Sequence, residues 1–88
     1  MSDDISQLNF TAAARLYKWP SLGNLRREDR APYMVSDGTL DECIREFMAK
    51  PANSRHLYEI RTKAQAPLIS DILSPEHIVE LSRLRDFL

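Results

Sequence analysis

The stretch Asp37-Gly38-Thr39-Leu40-Asp41-Glu42-Cys43-Ile44-Arg45-Glu46-Phe47-Met48-Ala49-Lys50-Pro51 spells out one complete amphipathic helix. Thr39 and Glu42 stand at capping-box spacing: the threonine oxygen accepts an orphan backbone N–H and the glutamate reaches back to the cap. Leu40, Cys43, Ile44, Phe47 and Met48 recur at helical intervals and make one apolar stripe. Asp41 with Arg45, and Glu46 with Lys50, are acid-first pairs four residues apart, adding about 0.2–0.5 kcal/mol each. Burial of the stripe therefore stabilises the helix, and Pro51 stops it.

Outward toward the N-terminus, Ser36-Asp37-Gly38 reads as a turn and Tyr33-Met34-Val35 as a short strand. Residues 20–38 are otherwise an irregular connection, with a turn at Ser21-Leu22-Gly23-Asn24 and a mixed charge cluster from Arg26 to Arg30. Before it, the spacing predicts a helix from about residue 4 to residue 18. Ile5, Leu8, Ala12, Leu16 and Trp19 form one face, and Phe10, Ala13 and Tyr17 a second. Trp19-Pro20 ends it, and residues 1–4 are expected to fray.

Outward toward the C-terminus, residues 56–62 fit a strand, with Tyr58, Ile60 and Thr62 on one face, or a helix capped by Ser54; the β-favouring residues at alternate positions favour the strand. Residues 67–73 read as a short helical turn. Ser74-Pro75-Glu76 then starts a last helix: a cap, a proline at the first position and an acid in the first turn. Ile78, Leu81, Leu84 and Leu88 line its buried face, Phe87 stands at the edge and Val79 points away. These elements predict a single α+β domain over residues 1–88, dominated by three main helices, with one or two short strands near residues 33–35 and 57–62. An all-α helical bundle is the alternative.

Composition excludes several classes. The 88 residues carry a net charge of −1, evenly spread: residues 1–38 are neutral, residues 39–63 carry +1 and residues 64–88 carry −2. Such a balance gives no global attraction for nucleic acid or an acidic membrane. One cysteine makes no internal disulfide. The start Met1-Ser2-Asp3-Asp4 is acidic where a signal peptide is basic, and no apolar run approaches a membrane span, so the chain is expected to be cytoplasmic and to have no membrane partner.

No residue set announces catalysis. Cys43 with His56 or His77 is the first candidate nucleophile–base pair, but the thiol shares its face with Leu40, Ile44 and Phe47, where cysteine acts as a small hydrophobe. Cys43, His56, His77, Glu76 and Glu80 lack metal-ligand spacing. Adjacent acids such as Asp41-Glu42 do not face one another on a helix, and Gly23 and Gly38 make no phosphate loop. No cofactor and no enzyme activity are expected.

Two binding readings remain. The leading one is a non-catalytic protein-interaction or regulatory module, acting through a protein partner or as a homodimer, with surplus apolar residues Tyr17, Val79, Phe87 and Leu88 as the partner surface. The alternative is weak nucleic-acid binding by Arg55, Arg61 and Lys63 with Tyr58 as a stacking residue. On a strand, Arg55, Glu59, Arg61 and Lys63 share a face and Tyr58 lies on the other.

Overall fold

The computed structural model describes residues 8–87. It is an α+β fold with more sheet than helix. The order is β1 (Ala13–Lys18), β2 (Ser21–Leu22), β3 (Leu25–Arg26), β4 (Tyr33–Thr39), α1 (Leu40–Met48), a 3₁₀ helix (Ala52–Leu57), β5 (Tyr58–Thr62), β6 (Ile72–Leu73) and α2 (Pro75–Phe87). Four strands form an antiparallel sheet in the order β4-β1-β5-β6, and β2 and β3 form a separate hairpin.

The expectation of a helix-dominated domain with three helices is thereby overturned, and the all-α alternative with it. Residues 13–18 are the central strand of the sheet, not the end of a first helix. Ala14 and Leu16 are buried while Ala13 and Arg15 are exposed. That period of two prevails over the helix preference of three alanines because both edges of β1 find partners. Ile5 and residues 1–4 lie outside the described residues.

The connection 20–38 is also more ordered than its sequence suggests. Leu22 and Leu25 pair across Gly23 and Asn24, both at positive φ (60° and 63°), as a two-residue hairpin turn requires. His56 Nε2 lies 2.6 Å from the Asn24 carbonyl, and Arg26 Nε donates to the His56 carbonyl at 2.9 Å, fastening the hairpin to the 3₁₀ helix. Ser36, Asp37 and Gly38 continue β4 instead of turning. Gly38 leaves room for the Glu42 carboxylate, which a Cβ there would meet. Residues 67–73 hold a turn bridged by Gln65 and Ile69, followed by β6, where a helical turn was expected.

The strands near residues 33–35 and 57–62 are present and flank α1 in sequence, but β1 lies between them, antiparallel to both. The helix α1 starts as its capping box dictates: Glu42 N–H donates to Thr39 Oγ1 at 3.1 Å and Thr39 N–H to Glu42 Oε1 at 2.9 Å. Its first two N–H groups, on Leu40 and Asp41, donate to the carbonyls of Ala12 and Phe10, both at 2.8 Å. Both helices pack on one face of the sheet. There Leu16, Ile60 and Leu73, which meet across three strands, lie against Leu40, Ile44, Phe47, Ile78 and Leu81.

The end of α2 is tied to the start of α1 by Arg85, which donates to Asp41 Oδ1 at 2.7 Å. That hydrogen bond holds the Asp41 carboxyl below its ordinary range, and the same bond raises the Arg85 guanidinium. A lowered folded-state value means the contribution is complete above the unfolded carboxyl range and disappears as pH falls through the folded value. Arg85→Gln is expected to cost about 1 kcal/mol at neutral pH and less near pH 2, read from urea melts at the two pH values. Leu16→Ala, which empties the centre of the core, is expected to cost about 3 kcal/mol at either pH.

Candidate functional site: the open face of the sheet

Among the described residues neither α1 nor α2 packs on the opposite face of the sheet, and register sorts its side chains into rows. Asp37, Arg15, Arg61 and Ile72 follow one another across β4, β1, β5 and β6. Met34, Tyr17 and Glu59 form the next row. Two residues read from the sequence for different surfaces, Tyr17 and Arg61, are therefore neighbours: the Arg61 guanidinium stacks on the Tyr17 ring, 4.6 Å from its centre.

Glu59 organises this face. It is 6% exposed although it points away from the core. Its Oε1 accepts from Trp19 Nε1 at 3.0 Å, and its Oε2 accepts from Arg61 Nε and Nη2 at 2.7 Å. Arg26 in turn covers the Trp19 ring, 5.3 Å from its centre. A buried carboxylate is costly unless its lone pairs are satisfied. Here the three hydrogen bonds offset the cost, and they hold Trp19 and Arg61, each a member of one aromatic–cation pair.

Beside this network lies an open cleft of about 430 Å³, lined by Ala13, Arg15, Tyr17, Asp37, Arg61 and Lys63 among others. The alanine leaves the depression and the long cations surround it. Arg15 lies 4.0 Å from Asp37, with both side chains about 60% exposed, so that pair is loose.

The other residues singled out from the sequence lie elsewhere. Tyr58 is buried on the inner face, edge-on to Phe47, with Lys18 and Lys50 over its ring. Arg55 stacks on Phe47 and donates to the Met48 carbonyl at the end of α1. These two therefore share no surface with Arg61 and Lys63. Val79 packs against the core, whereas Phe87 is 84% exposed at the end of α2. Leu88 lies outside the described residues. The sequence reading missed Arg15, Asp37 and Trp19; the register of β1 brings Arg15 and Asp37 together on this face, and the hydrogen bond to Glu59 holds the Trp19 indole there.

Cys43 is 1% exposed, and burial, followed by the charges of Glu46, Asp37 and Glu42, pushes its thiol up to about 11. Neither imidazole faces it in a hydrogen bond. His56 Nε2 and His77 Nε2 lie 2.6 and 2.7 Å from the carbonyls of Asn24 and Leu68, so each Nε2 carries the proton. Among the described residues no three His, Cys, Asp or Glu side chains gather where they could hold a metal ion, and no helix is long and apolar enough to cross a membrane. Compared with family models, curated proteins and solved structures, the chain matches none.

Two measurements check this description. Glu59→Ala is expected to cost about 2 kcal/mol and to shift the emission of Trp19, the sole tryptophan, by releasing its indole N–H. The Cys43 thiol is expected to react with a disulfide reagent only as fast as the domain opens, so its labelling rate rises with urea and stays well below that of the unfolded chain.

Proposed function

We propose that this chain is a non-catalytic protein-interaction module in which a partner strand adds to the outer edge of β4, which no strand among the described residues pairs, a second copy of the chain being that partner. The observation that supports this reading is the contrast between the two edges of the sheet. The β6 edge is two residues long, as protected edges are. The β4 edge runs for seven residues, Tyr33–Thr39, with Tyr33, Met34 and Val35 exposed. Its guards are one acid, Asp37, and a bulge in which Val35 is the extra residue opposite β1. Lysine and proline, the usual guards, are absent from the strand itself.

An antiparallel second copy satisfies the backbone groups of this edge and extends the four-stranded sheet to eight strands. A register centred on Val35 sets Met34 against Ser36, and Tyr33 against Asp37, of the second copy, so the two acids stay apart. Backbone pairing would supply the affinity and the alternating side chains the selectivity.

Sedimentation velocity over a wide concentration range tests this. The wild-type chain is expected to self-associate, with slowed amide exchange along β4. Met34→Lys, which places a charge on the exposed strand, is expected to weaken association at least about tenfold, or about 1.4 kcal/mol. A wild-type chain that stays monomeric at every concentration, with fast exchange along β4, removes the proposal.

A further inference from the structure

We propose that the cleft on the open face of the sheet is a binding site for a phosphomonoester, held by Arg15, Arg61 and Lys63. The first observation is the gathering of cations at one place on the open face. Arg15 and Arg61 stand directly opposite one another in the β1–β5 register, a position where like charges repel, and each is met by one carboxylate, Asp37 at 4.0 Å and Glu59 at 2.7 Å. Lys63, two residues beyond Arg61, lines the same cleft and adds a third cation. Among the described residues no carboxylate lies within 4.0 Å of Lys63.

The second observation is that the cations are unequally held. Arg61 is fixed between the Glu59 carboxylate and the Tyr17 ring, so its guanidinium is oriented before any ligand arrives. Arg15 is only loosely engaged by Asp37, at 4.0 Å, and its side chain is largely exposed. A fixed guanidinium beside two adjustable cations suits a tetrahedral anion, whose oxygens accept from several directions.

Shape and size narrow the ligand. Three cations line the cleft, and with Asp37 on its rim and Glu59 behind Arg61 one positive charge is left over. A phosphomonoester presents three terminal acceptor oxygens, one for each of Arg15, Arg61 and Lys63, whereas a carboxylate or a phosphodiester presents two. The volume of about 430 Å³ exceeds what one phosphate group fills, leaving room over Ala13 for a small organic body. The cations come from β1 and from β5 and the residue after it, with Asp37 of β4 on the rim; the cleft lies on the face of the sheet and not along the backbone edge of β4, so it stands whether or not a second copy pairs there.

The test is a ¹H–¹⁵N titration of the full chain with glycerol 3-phosphate at low salt, with acetate and a short single-stranded oligonucleotide as comparators. Glycerol 3-phosphate is expected to give saturable shifts at the Arg15 and Arg61 side-chain Nε and the Lys63 amide, and the comparators much weaker ones. Arg15→Gln and Lys63→Gln, both on exposed side chains, are each expected to weaken binding about tenfold. Ala13→Leu fills the cleft while keeping every charge and is expected to abolish binding, with unchanged Trp19 emission reporting an intact fold. The proposal is overturned if the phosphomonoester gives no saturable shift, if acetate or the oligonucleotide binds as tightly, or if folded Ala13→Leu binds like the wild type.

Discussion

The double engagement of β1 is the constraint on which the rest of this structure depends. One edge of that strand is taken by β4 and the other by β5. The chain just before it supplies the carbonyls of Phe10 and Ala12 to the first two N–H groups of α1. Those N–H groups lack partners within any helix. A single segment thus completes two strand ladders and one helix start. The first turn of the helix that follows β4 is thereby anchored to the chain entering the sheet's centre.

The two sides of β1 then have opposite fates. Ala14 and Leu16 face the helices and join a closed apolar core. Arg15 and Tyr17 face outward into a layer built from charge, aromatic rings and one buried carboxylate. Glu59 gives that layer its order. Without its bonds to Trp19 and Arg61, the outer face would be a set of long, independently moving side chains. With them it has a fixed guanidinium, a shielded ring and a neighbouring depression. Side chains held in this way have less freedom left to lose on contact than scattered exposed hydrophobes do.

Local signals were legible in the sequence and non-local ones were not. The limits and buried stripe of α1 follow from Thr39, Glu42 and the spacing of Leu40 to Met48, all within one short segment. Ser74 and Pro75 announce α2 in the same way: Ser74 Oγ accepts from His77 N–H at 3.3 Å. Alternation in residues 58–62 correctly set Tyr58 and Arg61 on opposite faces. The strand β1 failed because Ala12, Leu16 and Trp19 satisfy a helical period as well as Ala14 and Leu16 satisfy a strand period. Only partners distant in sequence decide between them. The candidate site was hidden for the same reason: nothing near Arg15 in the chain says that Arg61 stands beside it. The β2–β3 hairpin is so short that its strands carry no periodicity to read.

The place of β1 in the sheet also bears on how the molecule is made. The ribosome releases this strand before any of its partners, yet it becomes the middle of the sheet. Its β4 partner and α1 emerge next and can assemble around one of its sides. The other side stays bare until residues 58–62 leave the exit tunnel, with Leu16 still waiting for Ile60. Distant pairings of this kind form slowly, and a half-built sheet is prone to join with another chain. The nascent protein therefore passes through a sticky interval whose length is set by translation speed, so slow codons before β5 would prolong its exposure to misassembly.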